Sequence, residues 1–475
     1  MRAPLVCVTL IALLTACAAG PAYQRPDVEL PTQWRSGVAA PPSAPASATW
    51  WTDFQSTELS RLIEAALDGN RDLKAAGSRI AQARALAQIA GANLSPSVGV
   101  SADVSRERSA GSQSSTKHNA GVGASIDLDF WGRNQQSREA AIGRLQSSVH
   151  AQQSVKLALQ AEVATTYFQV LSSHDRLAVA LKSLSNTESV LRLLQAQHEA
   201  GAISGLEVVR QQGLVASVKA SIPPLEQQRQ QALDALAVLM GRQPQDFSIS
   251  TTPLQTVRLP QIAAGLPSSL LDQRPDIRQA EADLVAANAD INAARAAFFP
   301  NIRLTAAGGS ESASRASLLR SGNLVYALAA GLTAPLFDGG RLRGQLAFAK
   351  ARQDELVQVY QQSILSALRE VEDSLTAVQR LAEQAAHQQE VVAHAVTALR
   401  MAELRYRNGA VDFATVLDAQ RVLLAGQAAQ DTITLSRYAA AIGLYRALGG
   451  GWEPSPQILM DSPATPLKTI SASLR

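Results

Sequence analysis

The apolar positions of this chain follow two different periods, taken up in turn along its length. Between Gly344 and Gly409 there is neither Gly nor Pro. Small or apolar residues recur there at spacings of four and three: Tyr360, Ile364, Ala367, Val371, Ser374, Val378, Leu381 and Ala385, then Gln388, Val392, Ala395, Leu399, Ala402 and Tyr406. A 3.5-residue period held over so many turns is a coiled-coil seam. At 1.5 Å per residue the stretch predicts a rod on the order of 90 Å long. Arg369, Glu370, Glu372 and Asp373 lie off the seam, and charges at that density exclude a lipid-spanning helix. The rod ends at Arg405-Tyr406-Arg407-Asn408-Gly409, and a new helix starts near Asp412. An earlier stretch, 133–199, shows the same period through Leu177, Leu181, Leu184 and Leu191, and its return helix runs from about Leu206 to Met240. Pro223-Pro224 lies inside that return helix and predicts a break or kink, because proline removes a donor and clashes with the preceding turn.

Two other regions change to period two. Val98, Val100, Ala102 and Val104 alternate with Gly99, Ser101, Asp103 and Ser105; Val122, Ala124, Ile126, Leu128 and Phe130 alternate with Gly123, Ser125, Asp127 and Asp129. Ile302, Leu304 and Ala306 begin a third such run, and Leu324, Tyr326, Leu328, Ala330, Leu332 and Leu336 mark a fourth. Strict alternation describes strands with one apolar and one wetted face. The lengths suit tilted membrane-spanning strands, of about 9–11 residues each; a soluble hairpin packed on a core would show the same alternation in any single pair.

The scheme occurs twice. Asp72-Leu73 and Pro96 fall 204 residues before Asp276-Ile277 and Pro300, while Gly132-Arg133, Gly201 and Gly241 fall 208 before Gly340-Arg341, Gly409 and Gly449. Two constant offsets argue for an internal two-fold repeat. The expected layout is a signal peptide at 1–16, an extended lipidated segment at 17–49, whose Pro-, Ala- and Ser-rich stretch Gly20–Thr49 reads as poorly packed, and a first repeat at 50–240. That repeat holds strands at about 97–105 and 119–130 and a long helix at about 133–199. A linker at 241–267 leads to a second repeat at 268–452, with strands at about 301–308 and 323–336 and a long helix at about 341–407, then a flexible tail at 453–475. The fold class is mainly α, with long antiparallel coiled-coil helices and a membrane β-barrel. Four strands cannot close, and an open sheet in lipid would strand its edge amides. Two copies would give about eight strands and a filled barrel; three would give about twelve and a water-filled bore.

Composition narrows the chemistry. The 475 residues carry a formal net charge of +3, two Cys and 4% aromatics. That balance predicts no nucleic-acid partner, and two cysteines supply neither a disulfide framework nor a metal cluster. Both lie at the start: Arg2 and the apolar run Pro4–Leu14 form a secretory leader, ending in Leu14-Thr15-Ala16-Cys17, which resembles the bacterial lipobox and makes Cys17 the acylated residue. The six His are scattered, no catalytic constellation is present, and the chain reads as neither enzyme nor cofactor binder. Trp50-Trp51-Thr52-Asp53-Phe54 reads as a docking anchor.

A set of motifs follows in order along the chain: Cys17 with Pro21-Ala22-Tyr23-Gln24-Arg25-Pro26, Asp129-Phe130-Trp131-Gly132-Arg133, Leu266-Pro267-Ser268-Ser269-Leu270-Leu271, Arg274-Pro275-Asp276-Ile277, Ala294-Arg295-Ala296-Ala297-Phe298-Phe299-Pro300 and Ala447-Leu448-Gly449-Gly450-Gly451-Trp452. Together they resemble the outer-membrane factors, the TolC-like exit ducts of efflux and secretion machines, and within them the lipoprotein branch serving resistance-nodulation-division drug pumps. The resemblance implies a homotrimer with a twelve-stranded barrel in outer-membrane lipid above a twelve-helix periplasmic barrel. It also implies a periplasmic adaptor, an inner-membrane pump, and outer-membrane efflux of small toxic compounds. A type I protein-secretion duct or a periplasmic coiled-coil scaffold are the competing readings.

The candidate site residues lie at the helix turns. Gly201 and Gly409 suit the left-handed position that ends a helix. Ser204-Gly205-Leu206-Glu207 reads as a capping box for the return helix, and Asp412 as the cap at the equivalent place. The resemblance implies that these tips meet the adaptor and close the duct. Asp412 would then form an acidic constriction, with Tyr406, Arg407 and Asp418 as latch partners.

Overall fold

The computed structural model describes residues 20–35, 48–108 and 114–450, apart from 246, 264, 266 and 319. The leader, Cys17 and everything from 451 onward lie outside the described residues. Helices α1 (Thr57–Gly69) and α2 (Arg71–Ala92) lead into strands β1 (Ser97–Glu107) and β2 (Ser115–Leu128), then the long helix α3 (Arg133–Glu199) and the return helix α4 (Gly205–Leu239). The second half follows with α5 (Pro275–Ala296), β3 (Asn301–Ser312), β4 (Leu324–Thr333), α6 (Arg341–Arg407) and α7 (Phe413–Ala447).

The long helices start and stop by the same devices. Each has 67 residues, or about 100 Å at the standard rise. Each follows a glycine in the left-handed region, Gly132 (φ 73°) and Gly340 (φ 90°). An upstream carboxylate then collects free amides: Asp129 accepts from Asn134 and Gln135 at 3.0 and 2.7 Å, and Asp338 from Gly340 and Leu342, both at 3.0 Å. Negative charge at that end also offsets the helix dipole.

The return helices stop halfway up, and there the short helices take over. Asn70 caps α2 through Leu73 N–H and donates to the Leu239 carbonyl at the end of α4 (2.9 Å). In the second half Arg274 donates to the Ala447 carbonyl at the end of α7 (2.8 Å), and holds Asp276 and Glu370 at 2.7 and 2.9 Å. These two polar side chains, 204 residues apart, splice α4 to α2 and α7 to α5 as end-to-end pairs lying beside the long helices. Around the splice sits the main core, where Trp50, Phe54, Phe168, Tyr438 and Tyr445 pack together, with Trp50 stacked 5.1 Å from Tyr445.

Four expectations are corrected. Residues 20–35 are extended but packed, because Tyr23 and Trp34 fill a second core and Trp34 Nε1 donates to the Gly265 carbonyl; Arg25 is bidentate to Glu281 at 2.7 and 2.6 Å. Helix α4 passes through Pro223 and Pro224 without a break; both prolines are exposed, so the carbonyls they leave unpaired can be met by water. The seam of α6 shifts locally, with Leu375 buried in place of Ser374 and Val378, and returns to the expected positions at Ala395 and Ala402, since a helix of about 3.6 residues per turn cannot hold a strict 3.5 repeat without local adjustment. The strands reach further from the helices than the alternation marked, to Glu107, Ser115 and Ser312, and stop earlier at the near end, at Leu128 and Thr333. Ladder hydrogen bonding does not require apolar side chains, and the polar extension is held by cross-strand pairs such as Lys117–Glu311 at 3.2 Å.

The sheet runs β1-β2-β3-β4, antiparallel throughout. Its register places Val100 opposite Val122, Ile126 opposite Leu304, and Leu304 opposite Ala330. One face is therefore apolar across all four strands. The other carries Gly, Ala, Ser and charged residues, including Arg303 bonded to Asp127 at 2.6 and 2.9 Å. Among the described residues no helix is long and apolar enough to cross a membrane.

Arg274 is buried and its partners are half-exposed. Arg274→Ala strands two carboxylates and a helix-end carbonyl, a loss of roughly 2–4 kcal/mol. The detergent-purified protein should melt at a lower temperature than wild type; an unchanged melt would remove the splice from the list of stabilising contacts.

Candidate functional site at the helical tips

Both hairpin turns have the same backbone. Gly201 (φ 74°) and Gly409 (φ 68°) occupy the left-handed position. Around them Ala202 N–H reaches the Gln197 carbonyl and Gly201 N–H the His198 carbonyl, at 2.9 and 2.8 Å. The second turn repeats this with Ala410 to Arg405 and Gly409 to Tyr406, at 2.8 and 2.9 Å. This pair of bonds satisfies the last carbonyls of each long helix, and a Cβ in the left-handed region would be strained.

The two turns differ in how the return helix is capped. Asp412 is an N-cap: its carboxylate accepts from the Thr415 amide at 3.1 Å and the Thr415 hydroxyl at 2.7 Å. Those two bonds, with the Arg210 charge nearby, hold its carboxyl below the usual aspartate range. The side chain is exposed, so the cap leaves it open to solvent. Ser204 stands at the N-cap position, but its side chain makes no capping bond. The capping box expected from Ser204 and Glu207 is therefore absent, and the Glu207 carboxylate is engaged elsewhere.

Glu207 accepts a hydrogen bond from the Tyr406 hydroxyl at 2.9 Å. This bond joins the start of α4 to the end of α6 and so ties the first tip to the second. Burial, and then the Glu207 contact, push the Tyr406 phenol up to about 12, so it stays a donor throughout the physiological range. Its ring lies 5.2 Å from Phe413, within an apolar cluster that includes Leu194, Val208, Val416 and Leu417. Gln211, fully buried, adds a bond to the Thr187 carbonyl at 2.8 Å. Arg407 and Asp418 are exposed, and no ion pair joins them among the described residues. Within one chain the geometry thus brings Tyr406 to Glu207, whereas Asp412, Arg407 and Asp418 face solvent.

The Glu207–Tyr406 contact could not be read from spacing. The partners are 199 residues apart, and neither belongs to a periodic pattern that points at the other. The only trace is the repeat, which sets both turns at the same height. Among the described residues no group of His, Cys, Asp and Glu is placed to hold a metal ion.

Tyr406→Phe keeps the ring on Phe413 and deletes only the donor. Losing about 1 kcal/mol of tip closure should speed amide hydrogen exchange at 203–210 and 404–415 by roughly five-fold. Equal exchange in variant and wild type would mean that the bond does not hold the tips.

Comparison with known proteins places the chain. The family model described as outer membrane efflux protein matches residues 62–242 and 266–450, one segment per structural repeat. The pyoverdine export outer membrane protein OpmQ of Pseudomonas aeruginosa is 39% identical over 457 residues, covering 94% of this chain and 96% of that protein. The cation efflux system protein CusC of Escherichia coli is 34% identical over 453 residues, covering 94% and 98%. The open-state structure of the MtrE outer membrane channel of Neisseria gonorrhoeae superposes with a TM-score of 0.84 at 32% identity, covering 92% of this chain and 98% of that one. The chain belongs to the outer membrane efflux protein family, the outer-membrane channels of efflux systems.

Proposed function

We propose that three copies of this chain form one continuous duct, a twelve-stranded barrel in the outer membrane above a helical barrel in the periplasm. The duct receives small molecules from an inner-membrane resistance-nodulation-division pump through a periplasmic adaptor. The observation that carries this reading is the sheet itself. Among the described residues its outer strands β1 and β4 have no partner on their far sides, and its apolar and polar faces are sorted as a wall between lipid and water requires. Two copies would give a filled barrel, so a bore requires three.

The helices support the same closure. Helix α5 is mostly buried between α3 and α6, but its repeat equivalent α2 packs mainly on α3 and leaves Leu86 and Ile89 61% and 65% exposed. Phe348 on the open side of α6 is 73% exposed. The α6 face of one copy fills the place beside α2 of the next, which completes the pattern α3-α5-α6 around the ring.

The gate lies at the tips. Asp412 from three copies converges on the axis as an acidic ring, and like charges in proximity repel. The Glu207–Tyr406 bond holds the two hairpins of each copy together against that repulsion, with Arg407 and Asp418 free to pair between copies or with the adaptor. The exposed turns at Gly201, Ser204 and Gly409 present the adaptor contact. A bore lined largely by Gly, Ala and Ser discriminates little among cargoes, consistent with relatives named for pyoverdine export and for cation efflux.

The lipid anchor is Cys17. Asn292 donates to the Pro21 carbonyl at 3.3 Å, and Asn292 lies near the end of α5, nine residues before β3. The segment from residue 20 onward thus begins close to the bilayer.

Asp412→Ala should raise single-channel conductance in planar bilayers several-fold and weaken block by divalent cations, since it removes the charged constriction. Unchanged conductance and block would leave Asp412 as a helix cap only. Cys17→Ser should abolish incorporation of radiolabelled palmitate; label retained in the variant would refute acylation at that residue.

A further inference from the structure

At the end of the sheet far from the helices the strand alternation separates arginine from carboxylate, with Lys117 inward against Glu311 at 3.2 Å. On β1 the outward column reads Val98, Val100, Ala102, Val104 and then Arg106, with Arg108 two residues on. Thr116 stands directly opposite Arg106, and His118 opposite Val104. The acids of the same level, Asp103, Glu107 and Glu311, fall on the inward face by the same register. Arginine is turned outward and carboxylate inward.

The height of Arg106 matters. From Val98 to Arg106 is about 26 Å along the strand, which a tilt of about 40° reduces to about 20 Å, near the height of the apolar band of membrane barrels. Arg106 therefore stands at the outer edge of the hydrocarbon, at head-group level. Its guanidinium donates to the Ser114 hydroxyl at 3.2 Å, and among the described residues it forms no ion pair.

The internal repeat supplies the neighbour. Offsets of 204 between β1 and β3 and 208 between β2 and β4 carry Val100–Val122 onto Leu304–Ala330, a pairing that both hairpins display. The contact between hairpins sets Val122 opposite Gly308, Ala120 opposite Ser310 and His118 opposite Ser312. Carried forward by the same offsets, it sets Ala330 of one copy beside Val104 of the next, Leu328 beside Arg106, and Tyr326 beside Arg108. Parity is preserved along the ladder, so Val104, Arg106, Tyr326, Leu328 and Ala330 share the lipid face, and Arg108 follows one residue beyond the end of β1 at Glu107. Tyr326 is 85% exposed in the single chain, with its ring and hydroxyl at the level where aromatic girdles meet head groups.

We propose that Arg106 and Arg108, completed by Tyr326 of the adjoining copy, form at each seam an outward site for the phosphates of an outer-leaflet lipid head group. The inference rests on the three-copy reading above. Arginine suits the ligand because its planar fork matches phosphate oxygens two at a time. The Thr116 hydroxyl across the ladder adds a neutral donor.

The test uses the full-length purified trimer in detergent and native mass spectrometry, with lipid A carrying both phosphates and its dephosphorylated form as probes. Wild type should retain the phosphorylated lipid on the order of ten-fold better, and Arg106→Ser with Arg108→Ser should abolish that preference while the trimer persists. Equal retention by the double variant, or of the dephosphorylated lipid by wild type, would overturn the site. Displacement of the lipid by an equal concentration of inorganic phosphate would overturn the lipid assignment in favour of a free anion. Seam placement is read separately: Val104→Cys with Ala330→Cys should cross-link neighbouring copies under oxidation. Cross-linking instead between Ala102→Cys and Ala330→Cys would overturn the register. Absence of any trimer would count against the three-copy reading and is seen before lipid is added.

Discussion

Among the described residues neither outer strand of the sheet has a partner on its far side, and backbone amides and carbonyls left open in hydrocarbon cost several kcal/mol each. This constraint governs the rest of the molecule. A four-stranded sheet with one lipid face and one wet face is unstable as a monomer in a bilayer and complete only in a ring. The helices inherit the same incompleteness: α5 is enclosed on both sides, but α2 and α6 each keep one bare flank. The edge strands β1 and β4 are joined in sequence to α2 and α6, the two helices with a bare flank, so one association can satisfy both.

The rod depends on a different device. A return helix that reaches only halfway leaves its last carbonyls in the interior, where unpaired polar groups are costly. Asn70 and Arg274 resolve this in chemically different ways at equivalent places. Asn70 caps the next helix and donates back to the last; Arg274 leaves the start of α5 to Pro275 and uses its fork to bind the carbonyl and two carboxylates. Equivalent geometry is therefore kept while the side chains diverge, and the two halves need not share stability. The tips diverge further. One return helix is capped by its own Asp412, whereas the other gives up its capping acid, Glu207, to a phenol on the opposite hairpin. The contact that couples the hairpins exists because the local cap was forgone.

Much of this was legible in the residues. The 3.5 period located both long helices, strict alternation located four strands and their faces, and the glycines at 201, 241, 409 and 449 located the turns, because each reports a local backbone requirement. Asp412 as a cap was legible for the same reason. The failures were of one kind. Pro223-Pro224 forecast a break, but the prolines sit on the wet side of a helix held by its neighbours. The polar strand ends looked like loops because side-chain character ceases to report on a ladder once it leaves the lipid. Residues 20–35 looked loose because an extended strap has no period of its own, and the fit of its Tyr23, Arg25 and Trp34 is set by partners hundreds of residues away, such as Gly265 and Glu281.

The sequence by itself determined the element types, their repeat, the sorting of faces and the need for more than one copy, since these follow from local periods and from the offsets of 204 and 208 residues. Only the tertiary structure decided that Glu207 reaches Tyr406, that Asn70 and Arg274 splice broken helices into continuous ones, and which strand lies against which. Those are contacts between groups far apart in the chain. Packing selects them among many alternatives of similar local energy, so no local pattern encodes them.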